Sequence, residues 1–231
     1  MRIIISRDDR YRSFTDGRSR VVSGKGQPFP LFRYGEGSNL QRRAAVFIDG
    51  GYLDNVLLHY GKAKIDYEKM VQDLTGENPL LRAYYYHCLP YQSAEPTPEE
   101  KQKFSSAERF LRRLSRLNSF TVRKGKLQYR GKTDDGKPLF EQKRVDVALA
   151  TDLVMHGTKR LITHAILITG DSDFIPAVEI AQSEGVHITL FYGNGENSMP
   201  HDELMDAVDS RHMITQEMID KWKREERSET I

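Results

Sequence analysis

Five short apolar runs, spaced so that helical patterns fall between them, restrict what this chain can fold into more than any other feature. They are Ala44-Ala45-Val46-Phe47-Ile48, Ala83-Tyr84-Tyr85-Tyr86-His87-Cys88, Ala165-Ile166-Leu167-Ile168-Thr169, residues 186–192 and Arg211-His212-Met213-Ile214. A continuous apolar run of this length, bounded by turn residues, is the pattern of a strand covered on both faces. Helical periodicity occupies 52–60, 66–74, 145–156, 173–184 and 202–208 between and beside them. Strands alternating with helices predict a parallel sheet in a three-layer α/β/α arrangement, and such sheets take ligands beyond the carboxyl ends of their strands.

Residues 99–144 break the alternation. Phe104, Ala107, Leu111, Leu114 and Leu117 make the apolar stripe of a helix whose other face carries Arg109, Arg112, Arg113 and Arg116. After it, 120–123 and 126–130 are expected to pair as a hairpin across Lys124-Gly125, with a second turn at Asp134-Asp135-Gly136. The expected organisation is therefore an irregular extension over 1–43, rich in Gly, Ser and Pro, a domain over 44–215 with a basic helix-hairpin insertion at about 99–144, and a helix or tail over 216–231. Met218, Ile219 and Trp222 give that last segment an apolar face, for its own domain or for a second copy in a homo-oligomer.

The net charge of +2 hides a strong division. Residues 1–43 hold ten basic and four acidic side chains, and 99–144 hold fourteen and six, so the remainder carries an excess of twelve negative charges. A single cysteine, Cys88, rules out an internal disulfide and a thiolate zinc site, and the seven histidines lack metal-protease spacing. No stretch approaches the roughly 20 apolar residues needed to cross a bilayer, so no membrane partner is expected. The apolar run at the start, cut short by Arg7, Asp8 and Asp9, does not read as a signal peptide, and a cytoplasmic location is expected.

Part of the acidic remainder sits where chemistry would be placed. Asp49 directly follows the first apolar run, Asp171 and Asp173 follow the third through Gly170, and Asp146 opens the helix after the insertion. Aspartates at helix starts also serve as caps, and that role is open for Asp146 and Asp173. Convergence asks for more: two carboxylates about 4 Å apart repel by about 4 kcal/mol at an effective dielectric constant near 20, so a group of them requires protons or a cation. Ligands that are all oxygen favour Mg2+ or Mn2+. A divalent cation there can bind a phosphodiester and lower the pKa of an attacking water, which is nuclease chemistry.

At these residues the chain resembles a known family. Val46-Phe47-Ile48-Asp49-Gly50-Gly51-Tyr52-Leu53, the block from Arg144 through Asp146 to Asp152 and Leu153, and Ile168-Thr169-Gly170-Asp171-Ser172-Asp173-Phe174 together look like the NYN domain, in the LabA-like branch of the PIN-like nuclease superfamily. The resemblance implies a PIN-like fold and a divalent-metal site acting on RNA, with the family's acidic positions at Asp49, Asp146, Asp171 and Asp173. Two departures stand out. Many relatives have Asn where this chain has Tyr52, whose hydroxyl cannot reproduce an amide. Asp152 fits the middle block but lies about 240° around a regular helix from Asp146, so it is a second-tier metal ligand or a helix-surface ion pair.

A polyanion also needs a positive surface. Arg109, Arg112, Arg113 and Arg116 on the helix, Arg123, Lys124, Lys126 and Arg130 on the hairpin, and Lys143 and Arg144 beside Asp146 are the candidate nucleic-acid contacts. Gly50 and Gly51 either admit a ligand close to the backbone or make a tight turn, Thr169 and Gly170 shape the turn around the aspartates, and Ser172 either hydrogen-bonds a ligand or caps the next helix. Gly193-Asn194-Gly195 reads as a loop, at least alternate members of Tyr84, Tyr85 and Tyr86 as core, and His164 and His201 as lacking catalytic partners. The expected activity is a metal-dependent ribonuclease, with RNA as partner and DNA as the alternative polyanion. A non-catalytic NYN module binding RNA or protein is the rival, and a nucleotide phosphatase the third reading.

Overall fold

The computed structural model describes the backbone of residues 42–132 and 138–224, and their side chains except at 128, 132 and 138–143. The chain runs β1 (Ala44–Asp49), α1 (Gly50–His59), α2 (Tyr67–Thr75), β2 (Leu80–Cys88), α3 (Pro98–Leu114), β3 (Phe120–Lys132), β4 (Pro138–Lys143), α4 (Val145–Thr158), β5 (His164–Ile168), a 3-10 turn (Ser172–Phe174), α5 (Ile175–Ser183), β6 (His187–Tyr192), α6 (Asp202–Ala207), β7 (Ser210–Met213) and α7 (Gln216–Trp222). The sheet order is β4-β3-β2-β1-β5-β6-β7. Six strands, β3 to β7 through β1, are parallel, and only β4 is antiparallel.

Helices cover both faces, which is why the strands read as unbroken apolar runs. Val46, Ile48, Ala83 and Tyr85 pack on one side with α1, α2, α3 and α7 residues such as Leu53, Met70, Leu111 and Trp222. Ala45, Phe47, Tyr84 and Tyr86 pack on the other with Leu149 and Leu153 of α4 and Val178 of α5. All three consecutive tyrosines are buried, not merely alternate ones. Local signals set several helix starts: Thr97 and Glu100 form a reciprocal capping box before α3, with Pro98 in its first turn, and Asp66 caps α2.

The segment 99–144 belongs to the main sheet in a way its polar sequence conceals. Phe120 to Gly125 pair in parallel with Ala83 to Cys88, so α3 is an ordinary crossover between β2 and β3. The turn expected at Lys124-Gly125 is absent: β3 runs straight through it, and its second half pairs with β4, placing Lys126 opposite Lys143. Within the continuous strand Arg123 pairs with Asp152 on α4. The second expected turn, at 134–136, lies outside the described residues, as does the basic extension apart from 42 and 43. α7 docks on its own domain, with Trp222 fully buried and its indole N–H donating to Asp73 at 2.8 Å.

Strand order reverses between β1 and β5, whose connections leave in opposite directions along the sheet. That switch point opens a crevice at the carboxyl edge. Ile48 pairs with Ile168, so Asp49 and the turn carrying Asp171 leave the sheet side by side.

Candidate functional site

Asp49 ends β1 and caps α1, its Oδ1 accepting from the backbone N–H groups of Gly51 at 2.9 Å and Tyr52 at 3.1 Å. Asp171 does the same for the 3-10 turn, where its Oδ1 accepts from Asp173 N–H at 2.9 Å. Thr169, fully buried, holds the turn by accepting from Asp171 N–H at 3.3 Å through its hydroxyl, and Ser172 is the turn's first residue. In each aspartate the capping bonds fall on one carboxylate oxygen, which orients the side chain and leaves the other oxygen out of the cap. Asp146 lies in the first turn of α4, whose N-cap, Arg144, has φ of 77° and contributes no side-chain cap. The capping aspartates are therefore Asp49 and Asp171, and not Asp146 or Asp173.

These groups sense one another. Burial pushes the Asp49 carboxyl above its ordinary value, opposed by its two N–H bonds and His87 and reinforced by Asp171. Asp146 is also raised, first by partial desolvation and then by the charges of Asp49, Asp171 and Asp173. Four carboxylates from three segments thus share one field at the crevice. Their donor chemistry fits a hard divalent cation. Among the described residues, however, no three His, Cys, Asp or Glu side chains are close enough together to hold an ion. Mg2+, which keeps several of its waters, needs only one or two carboxylates directly.

Asp152 does not face this crevice. It is 6% exposed, accepts from the Tyr86 hydroxyl at 2.9 Å and receives Arg123 through Nε at 3.0 Å and Nη2 at 3.2 Å. It is neither a helix-surface residue nor a neighbour of Asp146. The guanidinium also stands 5.8 Å over the Tyr84 ring. Arg123 is a counter-ion that joins β3 to α4, and its side chain stays 46% exposed.

Tyr52 is built into the fold. Its hydroxyl accepts from Gly193 N–H at 3.1 Å and donates to the Ser198 carbonyl at 2.5 Å, stapling the β6–α6 loop to the start of α1. Burial raises its pKa to about 12, so it remains protonated. The two glycines beside the aspartates make room for rings: a Cβ on Gly170 would lie 2.4 Å from the Tyr52 ring, and one on Gly50 would lie 2.7 Å from Tyr85. Close ligand approach is therefore not why Gly50 is glycine. Gly51 supplies the N–H bound by Asp49.

The stapled loop forms the far wall of a cleft of about 330 Å3 lined by Asp49, Tyr52, Asn55, Gly170, Asp171, Asn197, Met199 and His201. Asn55, Asn197 and Met199 escaped the sequence reading, and His201 was noted there only as lacking a catalytic partner. Asn55 follows Tyr52 by three residues and so shares its helix face, a detectable signal. The other three lie in a loop whose position depends on Tyr52, far away in sequence.

The basic residues divide by location. Arg109, Arg112, Arg113 and Arg116 are exposed and together line a cleft on α3 of about 540 Å3. Arg112 pairs with Glu108 at 3.6 Å. Lys124, Lys126, Arg130 and Arg144 are exposed, whereas the side chain of Lys143 lies outside the description. No helix among the described residues is long and apolar enough to cross a membrane.

Comparison with known proteins agrees with this architecture. The model of the NYN domain family matches residues 43–216. No curated protein matches the chain. Among solved structures, that of a protein of unknown function from Vibrio parahaemolyticus RIMD 2210633 is similar, with a TM-score of 0.53, 20% identity, and coverage of 81% of this chain and 99% of the other.

Proposed function

The chain belongs to the NYN domain family, part of the PIN-like nuclease superfamily, and from that premise we propose that it is a divalent-metal-dependent ribonuclease. We propose in addition that it falls in the LabA-like branch, from the sequence blocks around Asp49, Asp146 and Asp171. The observation that supports the reading is that Asp49, Asp146, Asp171 and Asp173 share the β1/β5 switch point, where burial, reinforced by their mutual charge, raises Asp49 and Asp146. These side chains would hold Mg2+ or Mn2+. Such an ion, when bound, supplies Lewis-acid stabilisation of a phosphodiester and a more acidic water. The chain's own contribution is orientation: the caps at Asp49 and Asp171 direct one oxygen of each carboxylate inward to N–H donors. Tyr52 holds the loop that walls the cleft, and Arg144 brings a cation beside Asp146, where it can hold a phosphate oxygen.

The test is incubation of 5′-labelled single-stranded and structured RNA, and the matching DNA, with Mg2+ or Mn2+. Chain shortening that EDTA and Asp171→Asn abolish is expected. Activity unchanged in Asp171→Asn removes the site, and phosphate release without shortening selects a phosphatase. One observation favours the non-catalytic rival: among the described residues no three carboxylates stand close enough together to hold an ion. RNA binding that weakens with salt, with no cleavage in either metal, selects that rival.

A further inference from the structure

Asn55 lines two cavities. Beyond the carboxylate cleft it borders a wider groove of about 810 Å3 between α1, the start of α2, the end of β2 and α3. The groove's floor is aromatic: Tyr67 and Phe110 line it with ring centroids 5.6 Å apart. Tyr85 packs behind both at 5.7 and 5.8 Å and fixes them in place. Its rim is cationic, with Lys62, Lys64, Arg113 and Arg224 all exposed. The groove also contains the carboxylate of Asp54, which stands 3.9 Å from His87 Nε2. His87 Nδ1 is buried with no hydrogen-bond partner among the described residues. At the opposite end, Arg113 belongs as well to the cleft lined by Arg109, Arg112 and Arg116. Carboxylate cleft, aromatic groove and arginine cleft therefore form one series joined by Asn55 and Arg113.

We propose that this groove is the track of a single-stranded nucleic acid leaving the carboxylate cleft. An unpaired base lies against Tyr67 and Phe110 while its backbone phosphates follow Lys62, Lys64 and Arg113 toward the α3 arginines. Aromatic faces for bases beside a line of cations for phosphates are the two elements by which proteins hold single strands. The polar group at the floor suits a base edge: Asp54 accepts from exocyclic amines or ring N–H groups. A duplex keeps its bases stacked and cannot present one to the floor. This inference deepens the nuclease reading by naming its substrate as single-stranded, and it rests on that reading for its direction of travel.

The experiment uses the full chain in EDTA, so that binding is read without cleavage. Fluorescence anisotropy of a labelled oligouridylate is followed over a range of KCl concentrations. Neutralising two phosphate contacts with Lys62→Gln/Lys64→Gln is expected to lower the slope of log K against log salt by about 1.4, at about 0.7 per single-strand contact, and to weaken binding about tenfold near 0.15 M salt. Lys159→Gln/Arg160→Gln, the same charge change on exposed residues just beyond α4, is the control and is expected to leave the slope unaltered. An oligonucleotide carrying 2-aminopurine is expected to show quenching that Phe110→Leu relieves. Equal slopes for the two double variants, equal affinity for a duplex, or no binding at all overturn the proposal. A chain that binds in this way yet cuts nothing with Mg2+ or Mn2+ refutes the nuclease reading alone, and one that cuts but is indifferent to Lys62→Gln/Lys64→Gln refutes the track alone.

Discussion

Asp152→Asn separates the two roles open to this carboxylate, and its cost can be worked from the contacts. The side chain accepts three hydrogen bonds on two oxygens, two of them from a guanidinium. An asparagine offers one carbonyl oxygen and turns an N–H2 group toward donors, so at least one charge-assisted bond is lost. Such bonds contribute about 1.5–3 kcal/mol. Arg123 is 46% exposed and recovers hydration when released, which discounts the loss to about 2 kcal/mol. Asp152→Ala also leaves the Tyr86 hydroxyl, on a residue with no exposed surface, without its acceptor, and should cost about 3 kcal/mol. At roughly 2–4 °C per kcal/mol for a domain of this size, Asp152→Asn should lower Tm by about 4–8 °C. Circular dichroism melts and urea titrations read by the single tryptophan, Trp222, measure it. The increase in Tm produced by added Mn2+ should persist in the variant. Unchanged stability together with loss of the Mn2+ increment would mean that Asp152 is a metal ligand and that the clamp is energetically empty.

Other substitutions test neighbouring parts of the account. Tyr52→Phe leaves Gly193 N–H and the Ser198 carbonyl unpaired, and should cost about 1–2 kcal/mol while the Gly193 amide exchanges faster in hydrogen-exchange measurements. The acidic edge sets a pH dependence of definite sign. Asp49 and Asp146 have folded pKa values raised above the ordinary 3.8, so their favourable contribution is complete below that value and is lost as pH rises through the folded values. Without metal, Asp146→Asn should therefore raise Tm near neutral pH by about 1–2 °C, a surface-scale effect of about 0.5 kcal/mol, and raise it less near pH 4. Because a cation favours the ionised forms, the Tm increment from Mn2+ should grow between about pH 4.5 and 7. An increment independent of pH contradicts carboxylate binding.

Much of the framework was legible because it depends on local patterns. The apolar runs marked the strands of a two-sided sheet, and Asp49 and Asp171 stood out because one directly follows its run and the other follows after a single glycine. What escaped depends on partners remote in sequence. β3 was divided at Lys124-Gly125 because four polar or small residues interrupt it, yet Arg123 is neutralised by Asp152, 29 residues later. Asp152 read as a surface residue for the same reason. Tyr52 read as a poor substitute for an amide because its partners, Gly193 and Ser198, lie 141 and 146 residues away. The place of Asn197, Met199 and His201 in the cleft follows from that contact and was invisible without it. Gly50 and Gly170 were marked as special, but the rings of Tyr85 and Tyr52 that require them appear only after packing.

The central claim is that the four carboxylates at the switch point bind the catalytic cation. Its most direct test is a crystal soaked in Mn2+ and measured at the manganese absorption edge. Anomalous density among Asp49, Asp146, Asp171 and Asp173, absent in Asp171→Asn, is the result expected. A saturating soak that leaves this crevice without a peak, or places the peak elsewhere on the chain, contradicts the account.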